Sequence, residues 1–201
     1  MGGLTPFDWP AQAVRFSGDG FALALLALPV GSTRALAGQH ARLALRQILG
    51  ALLARPADEI VLRESGTGPV LENAARDIRI SLSYASGRCL IGLAEGHPLG
   101  VDIVRIEQLP EIEALSRLYL TIAAHRDVIE APPAARAARF ALAWAQMEAR
   151  SKCLGLPLAE IDAPRGKALQ ACELLACHQP ADYRIALASQ GLSAEHAVIS
   201  I

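Results

Sequence analysis

Hydrophobic residues alternate irregularly over FALALLAL, residues 21–28, and Pro29 ends the run. So short a run, stopped by proline, favours a β-strand over a helix of only two turns. The next segment, STRALAGQHARLALRQILGALLA at 32–54, repeats its apolar positions at helical spacing, and Ser32 and Thr33 are available as N-caps. The pattern therefore predicts a strand followed by a long helix.

The middle of the chain has the pattern of strands joined by tight turns. A polar passage containing Gly66, Gly68 and Pro69 precedes IRISLSYASGRCLIGLAEGHPLGVDIV at 78–104. In that segment two apolar runs flank SYASG and a third follows GHPLG, which is typical of strands separated by glycine-containing turns. We therefore expect three adjacent strands here.

The second half of the sequence is helical first and strand-like afterwards. From 108 to 154 the periodicity is helical in PEIEALSRLYL, in TIAAHRDVIEA and, after a break at Pro132 and Pro133, in AARAARFALAWAQMEARSKCL. Three alternating runs, LQACELLA, DYRIALAS and AVISI, then predict three closing strands.

This order of elements predicts an α+β fold of two similar halves. Each half contains a strand, helical sequence and further strands, although no residue-level repeat is recognisable, and the halves meet near residues 96–101. We divide the chain into an N-terminal half at 1–97 and a C-terminal half at 98–201. A cleft between two such halves is a natural ligand site.

Composition and charge exclude several classes of protein. The 201 residues are 52% hydrophobic, with a mean hydropathy of +0.30, but only 4% aromatic, so the core must be built from Ala, Leu, Ile and Val. A net charge of -1 with scattered arginines lacks the basic stripe that nucleic-acid binding requires. The longest apolar run, FALALLALPV, is too short to span a bilayer and follows no basic leader. We therefore expect a cytoplasmic protein that binds neither nucleic acid nor membrane.

The cysteines and histidines form no metal-binding pattern. Cys89, Cys153, Cys172 and Cys177 lack paired C-x-x-C spacing, and CELLACH offers two thiols and His178 without a second half-site. The other histidines are isolated from one another and from acidic clusters. The cysteines are expected to be small, buried apolar residues.

Glu148 and Lys152 allow two interpretations. Their i,i+4 spacing is that of an ordinary surface pair, which stabilises a helix by only ~0.2–0.5 kcal/mol. Lys152 is nevertheless unusual, because the chain has two lysines and seventeen arginines. The pair also lies on the border of the core-facing stripe rather than opposite it. That stripe consists of Phe140, Trp144, Met147 and Leu154.

Asp102 is the second unusual carboxylate, since it interrupts the otherwise apolar strand PLGVDIVRIE. It either faces solvent or points into a site, because burying an unpartnered charge costs several kcal/mol. If the long helix packs against this strand, Asp102 and Glu148 share one divalent cation beside Lys152. Mg²⁺ is typically held by one or two carboxylates, with waters and phosphate oxygens completing its ligands. The second interpretation is therefore a metal-assisted phosphate site.

Four segments in order resemble motifs of one enzyme family. GTGPVL, ISLSYASG, PLGVDIVRIE and FALAWAQMEARSKCLG are similar to the G-x-K-P-x-L, S-L-S-H-S, G-[VI]-D-[IV]-E and W-x-x-K-E-[AS]-x-x-K-x-x-G patterns of the 4'-phosphopantetheinyl transferases. The chain length resembles the surfactin-synthetase-activator type, a single chain of two similar halves related by a pseudo-twofold, each with a small, mostly antiparallel sheet and a long helix. In that form the N-terminal half is the coenzyme A side, and the C-terminal half carries the metal-binding strand and the catalytic helix.

The resemblance implies a reaction and a set of site residues. The phosphopantetheine arm of coenzyme A is transferred to a serine of an acyl or peptidyl carrier protein, and adenosine 3',5'-bisphosphate is released. Asp102 and Glu148 match the ligands of Mg²⁺, for which Mn²⁺ is an alternative, and Glu148 and Lys152 match catalytic residues. Coenzyme A contacts are implied for Arg42, Ser83, Tyr84 and Lys152, and a monomer is expected.

The sequence also departs from the family pattern. The lysine of G-x-K-P is Gly68 here, the histidine of S-L-S-H is Tyr84, the second acid of G-x-D-x-E is Val104 and the lysine before the metal glutamate is Met147. We expect weaker coenzyme A binding as a consequence. Two alternatives stay open: a divergent member that binds a nucleotide or carrier protein without transfer, and an unrelated α+β interaction module.

Overall fold

The computed structural model describes residues 3–73 and 75–191. The strands are β1 (Phe7–Trp9), β2 (Phe21–Ala27), β3 (Leu62–Ser65), β4 (Gly68–Leu71), β5 (Ile78–Ala85), β6 (Arg88–Glu95), β7 (Leu99–Arg105), β8 (Glu173–Leu175) and β9 (Tyr183–Ser189). The helices are α1 (Arg34–Leu53), α2 (Ile112–Tyr119), α3 (Ile122–Glu130), α4 (Pro133–Cys153) and α5 (Ala163–Leu169), and one 3-10 turn covers Ala57–Glu59.

The first sheet has the order β1-β2-β6-β5 and is covered on both faces. Along β2 successive side chains point to opposite faces. Ala22, Ala24 and Leu26 pack in the cluster that includes α1. Phe21, Leu23 and Leu25 pack against the second sheet. Because both faces are buried, this strand has an almost continuous apolar run instead of strict alternation.

The second sheet has the order β7-β9-β8 and shares a core with the first. Val101 and Ile103 of β7 and Leu187 of β9 lie in the same buried cluster as Leu23 and Leu90 of the first sheet. The prediction of three adjacent strands at 78–104 is wrong in one respect. β5 and β6 form a hairpin, but β7 pairs with β9 instead of β6.

Helix α4 covers the outer face of the second sheet. Ala145 and Ala149 of α4 pack in one cluster with Ala186 and Ala188 of β9. The approach is closest at Gly100 of β7, where an added Cβ would lie far inside van der Waals contact of the Ala149 carbonyl oxygen and the Cys153 amide nitrogen. Only glycine allows this approach, and it places α4 directly beside the strand that carries Asp102.

Several short elements were not predicted from the sequence. The polar passage at 62–71 forms the β3–β4 hairpin, and α5 occupies part of the stretch before the closing strands. The predicted strand LQACELLA is confined to β8, because α5 ends at Leu169. DYRIALAS forms β9, and AVISI lies outside the described residues.

The architecture confirms the predicted α+β class. A long helix covers the outer face of each main sheet, α1 on the first and α4 on the second. The two-half division at 97/98 and its pseudo-twofold relation stay predictions. Within 3–73 and 75–191, no helix is long and apolar enough to cross a membrane.

Candidate functional site

Strands β5 and β7 are joined by side chains at the junction of the two sheets. The Ser81 hydroxyl accepts a hydrogen bond from the Val101 amide (3.0 Å), and the Ser83 hydroxyl accepts one from the Ile103 amide (3.3 Å). Ser81 and Ser83 are buried and lie two positions apart, so both hydroxyls point to the same side of β5. We call these bonds the serine seam. It fixes β7 at the position of Asp102, between Val101 and Ile103.

Asp102 is buried at the seam with two donors on one oxygen. Its side chain lies next to Ser83, whose hydroxyl donates to Oδ1 at 2.5 Å, and Lys152 Nζ donates to the same oxygen at 2.6 Å. Asp102 is 6% exposed, and this burial raises the pKa of its carboxyl, while the Lys152 charge and hydrogen bond lower it in part. A carboxylate in this position is paired, which makes its burial tolerable.

Lys152 reaches back from α4 to the strand. Its Nζ also donates to the Val101 carbonyl at 3.1 Å, and its ion-pair partner is Asp102. The pair therefore does not have the geometry of an ordinary Glu148–Lys152 surface pair, the first of the two sequence interpretations. A compact ammonium on a flexible stem suits this position, since a planar guanidinium would need more space.

Glu148 lies one helical turn before Lys152 and is half-buried. Its Oε1 is buried and accepts no hydrogen bond from any described residue. Burial raises the pKa of the Glu148 carboxyl, and the charge of Asp102 raises it further, while Lys152 and Arg165 lower it. Two carboxyls with raised pKa values that repel each other form a site where a cation is favoured.

A cavity of about 900 Å³ brings these side chains together. Asp102, Glu148, Lys152, Ser83 and Tyr84 all line it, so residues of both sheets and of α4 converge there. A second cavity, of about 600 Å³, shares Lys152 with the first. A third, of about 470 Å³, also reaches Asp102 and Glu148, and its walls include Phe140, Trp144 and Leu158.

Tyr84 and Arg42 differ in their access to the cavity. Tyr84 is 40% exposed and lines the cavity, and burial of the phenol raises its pKa, partly offset by the Arg42 charge. Arg42 is not among the residues that line it. Its guanidinium binds the Glu64 carboxylate at 2.5 and 2.8 Å and the Gly38 carbonyl at 3.1 Å. The coenzyme contact expected of Arg42 stays a prediction.

Two of the altered family positions are explained by their surroundings. Gly68 begins β4 with a φ of +124°, which side chains rarely adopt, so a lysine there would strain the hairpin. Met147 is 5% exposed and packs in a cluster with Phe140 of the same helix. The cluster also contains Ile112 of α2 and Leu120, the C-cap of that helix. A residue at 147 faces this core, whereas Glu148 faces the cavity.

Arg34 and Arg105 are cavity residues that the sequence analysis missed. Arg34 is the first residue of α1, where the helix dipole opposes a cation, and this was the available signal. Arg105 ends β7 and is half-exposed, with Nε 3.6 Å from the Glu107 carboxylate. Arg150, in the last turn of α4, donates to the Cys172 carbonyl at 3.2 Å.

Asp102 and Glu148 are the two carboxylates available to a divalent cation in this cavity. Among the described residues there is no group of three or more His, Cys, Asp or Glu side chains that holds a metal alone. Two carboxylates are nevertheless enough for Mg²⁺ when waters and phosphate oxygens supply the remaining ligands. Glu148 Oε1 is buried without a hydrogen-bond partner, and the charge of Asp102 raises the pKa of this carboxyl, which fits a shared ion.

A family model for the 4'-phosphopantetheinyl transferase superfamily matches residues 98–197. The chain belongs to this superfamily. The matched segment contains Asp102, Glu148 and Lys152, whereas Arg42, Ser83 and Tyr84 lie before it. Membership in the 4'-phosphopantetheinyl transferase superfamily supports a transferase and phosphopantetheine transfer in general terms. No curated protein matches the chain.

Proposed function

We propose that the protein transfers the 4'-phosphopantetheine arm of coenzyme A to a serine of an acyl or peptidyl carrier protein in a Mg²⁺-dependent reaction. The observation that carries the proposal is the convergence of Asp102, Glu148 and Lys152 on one cavity, with a buried Glu148 oxygen left without a partner. A cavity of about 900 Å³ lies within the size range of cofactor sites. A monomeric, cytoplasmic enzyme of the surfactin-synthetase-activator type belongs to the same proposal.

Asp102 and Glu148 are the residues that would hold the metal. When bound, Mg²⁺ neutralises charge on the pyrophosphate and on the phosphoryl group during transfer. Mn²⁺ prefers the same oxygen ligands and would serve in its place. Ser83 and Lys152 keep the Asp102 carboxylate in position through its Oδ1.

The reaction breaks one phosphorus–oxygen bond and forms another. The carrier serine oxygen attacks the phosphorus that bears the pantetheine arm, and the bond to the leaving adenosine 3',5'-bisphosphate breaks. The serine hydroxyl loses its proton in this step, and Glu148 and Lys152 are the groups in the cavity proposed to move it. Ser83 and Tyr84 are proposed to contact the coenzyme, and Arg42 to act from its position beside Tyr84.

Arg34 and Arg105 are proposed to supply the phosphate contacts that the altered positions lack. Both line the cavity that contains Lys152, and arginine binds phosphate through two parallel hydrogen bonds. The Arg34→Ala and Arg105→Ala variants are each expected to weaken coenzyme A binding roughly 10- to 150-fold, because a hydrogen bond to a charged group contributes ~1.5–3 kcal/mol. Calorimetric titration measures the change. Arg117→Ala, on the exposed side of α2, is the control, and equal affinity in all three variants would remove the two arginines from the site.

The decisive experiment is transfer itself. Purified protein with coenzyme A, Mg²⁺ and an apo carrier protein is expected to add the mass of the arm to the carrier. Glu148→Gln keeps the side-chain volume and removes one charge, so transfer should be lost while the unfolding temperature is kept. Glu113→Gln, on the exposed face of α2, is the matched control. An inactive wild type across acyl and peptidyl carriers contradicts the proposal.

Lys152 is tested separately against the only other lysine of the chain. Lys152→Arg keeps the charge but donates a proton poorly, so the transfer rate should fall about 100-fold or more while coenzyme A affinity falls less. Lys167→Arg, exposed on α5, should change neither. If Lys152→Arg transfers at the wild-type rate, the enzyme stands and the role of Lys152 in proton transfer does not.

A second candidate function is binding of coenzyme A or a carrier protein without transfer. The positions of Gly68 and Met147 favour it, because neither offers a cation to the cavity. This candidate predicts a calorimetric signal with coenzyme A in a wild type that transfers no arm.

A further inference from the structure

Tyr183 connects the second sheet to a turn of the first sheet. It is the first residue of β9, and its hydroxyl donates a 2.7 Å hydrogen bond to the carbonyl of Ser86. Ser86 and Gly87 form the turn between β5 and β6, and Gly87 has a φ of +75°. The bond therefore joins the two sheets just beyond the end of β5, three residues after Ser83 and outside the serine seam.

The same turn supports the chain that leaves β2. The Leu28 amide donates to the Gly87 carbonyl at 3.0 Å, and the following residues close a tight turn in which the Ser32 hydroxyl donates to the Pro29 carbonyl at 2.7 Å. Helix α1 begins directly afterwards with Arg34. One series of hydrogen bonds thus runs from β9 through the Ser86–Gly87 turn to the start of α1.

All of these residues line the cavity that holds the carboxylates. We call residues 28–34 and 84–87 the upper rim. The rim lines the same cavity as Asp102 and Glu148, and it includes Tyr84 and Arg34. The Tyr183 hydroxyl connects β9 to this rim through its hydrogen bond to Ser86, and β9 is paired with β7. Its position therefore sets the rim relative to the strand that carries Asp102.

We propose that Tyr183 is a positioning residue for ligand binding, because its hydroxyl holds the upper rim at a fixed distance from the carboxylates. Naming coenzyme A as that ligand rests on the proposed function. Tyr183 acts through the Ser86 carbonyl and is assigned no part in the chemical step. A rim that loses this bond still folds, but it samples more positions and meets a phosphate-bearing ligand less often in the correct one.

Tyr183→Phe is the direct test, because it removes only the hydroxyl. The ring is retained, and it packs at the edge of the shared core. Coenzyme A affinity is expected to fall, and KM to rise, about three- to tenfold, which is the equivalent of one lost hydrogen bond. The kcat should change less than twofold. A merely structural role would instead lower the unfolding temperature and the active fraction without this split between KM and kcat.

Two further variants frame the result. Gly87→Ala strains the turn at its positive φ and should weaken binding in the same direction. Tyr119→Phe alters a tyrosine on α2 whose ring packs at a tilt against Trp144 and does not line the cavity, so it should leave coenzyme A affinity unchanged. Equal affinity in wild type and Tyr183→Phe would overturn the proposal.

Hydrogen exchange gives a readout that needs no ligand. The Leu28 amide, which donates to the supported turn, is expected to exchange several-fold faster in Tyr183→Phe, while amides in the middle of β6 stay as in wild type. Unchanged exchange at Leu28 would also overturn the proposal. A wild type that fails to bind coenzyme A would instead count against the proposed function, and the exchange result would still decide whether Tyr183 holds the rim.

Discussion

The Ser83 hydroxyl carries more of the site than its size suggests. It donates to Asp102 Oδ1 and accepts from the Ile103 amide, whereas Ser81 accepts from the Val101 amide. The sequence resemblance made Ser83 a coenzyme contact, a role that stays a prediction. The single hydroxyl proton of Ser83 is donated to Asp102. Ser83 could therefore only accept a hydrogen bond from the coenzyme, unless its hydroxyl first turned away from Asp102.

Ser83→Ala is therefore expected to destabilise the protein more than Ser81→Ala. It leaves the buried Ile103 amide without its acceptor and Asp102 without one donor, at a cost of about 1–3 kcal/mol. For a chain of this length the unfolding temperature should fall by roughly 2–4 °C per kcal/mol. Thermal unfolding of the two variants measures the difference, and equal losses would mean that the bond to Asp102 adds nothing to stability.

Met147→Lys restores the lysine of the family motif but is expected to destabilise the protein. The new amine would enter the apolar cluster with Phe140 and Leu120, where an unpaired charge costs several kcal/mol. Coenzyme A affinity should not rise, because the amine would enter the core instead of the cavity. Met147→Leu conserves volume and is the control, with an expected loss below about 1.5 kcal/mol. Thermal unfolding and calorimetry with coenzyme A measure the two effects.

At the level of single residues, the sequence was informative where a charge interrupted an apolar pattern. Asp102 stands in an apolar strand and Glu148 on the border of an apolar stripe, and the structure brings both to one cavity. Arg34 and Arg105 interrupt no such pattern, and they reach the cavity only because distant elements fold together. The apolar stripe placed Met147 toward the core, where it is observed, whereas the motif match compared it with a lysine. Adjacent helical residues point about 100° apart, so a motif match does not fix which one faces a site.

The contact between α4 and β7 depends on one glycine. Gly100→Ala would drive a methyl group into the backbone of α4 at Ala149 and Cys153. We expect a loss of about 1–3 kcal/mol or more from overpacking, and weaker coenzyme A binding because Glu148 and Lys152 move away from Asp102. Thermal unfolding and calorimetry test both. Gly18→Ala, where the added methyl meets open space, is the control, and a Gly100→Ala protein that matches it would contradict the close approach.

Helices and strands with a clear hydrophobic periodicity were predicted well, whereas the pairing between strands was not. α1, α4 and β2 follow from apolar spacing, because each buries a continuous stripe or face. The partner of β7 does not, since hydrophobicity along a strand says nothing about which neighbour supplies its hydrogen bonds. The β3–β4 hairpin was not predicted for a related reason. Its positive-φ glycine is typical of a turn, but the flanking residues show no apolar alternation that would indicate strands.

The two sheets share one hydrophobic core. Val101, Ile103 and Leu187 of the second sheet are buried against Phe21 and Leu90 of the first. Residues 98–201 expressed alone are therefore expected to expose this face and to stay unfolded or aggregate, although this range contains the family match. Circular dichroism and size-exclusion chromatography test this, with the full chain, expected to unfold in one transition, as the control. A fragment that is monomeric and fully folded would show that the shared core is dispensable.

The serine seam also affects how the joint between the sheets can change during evolution. Between ordinary paired strands the backbone supplies both the donor and the acceptor of each hydrogen bond, so only a substitution to proline removes one. In the serine seam the acceptors of two such bonds are side-chain hydroxyls, so a change in one codon removes either of them. The separation of Asp102 from the opposite wall of the cavity can therefore be altered one point mutation at a time, while the backbone pairing inside each sheet stays intact.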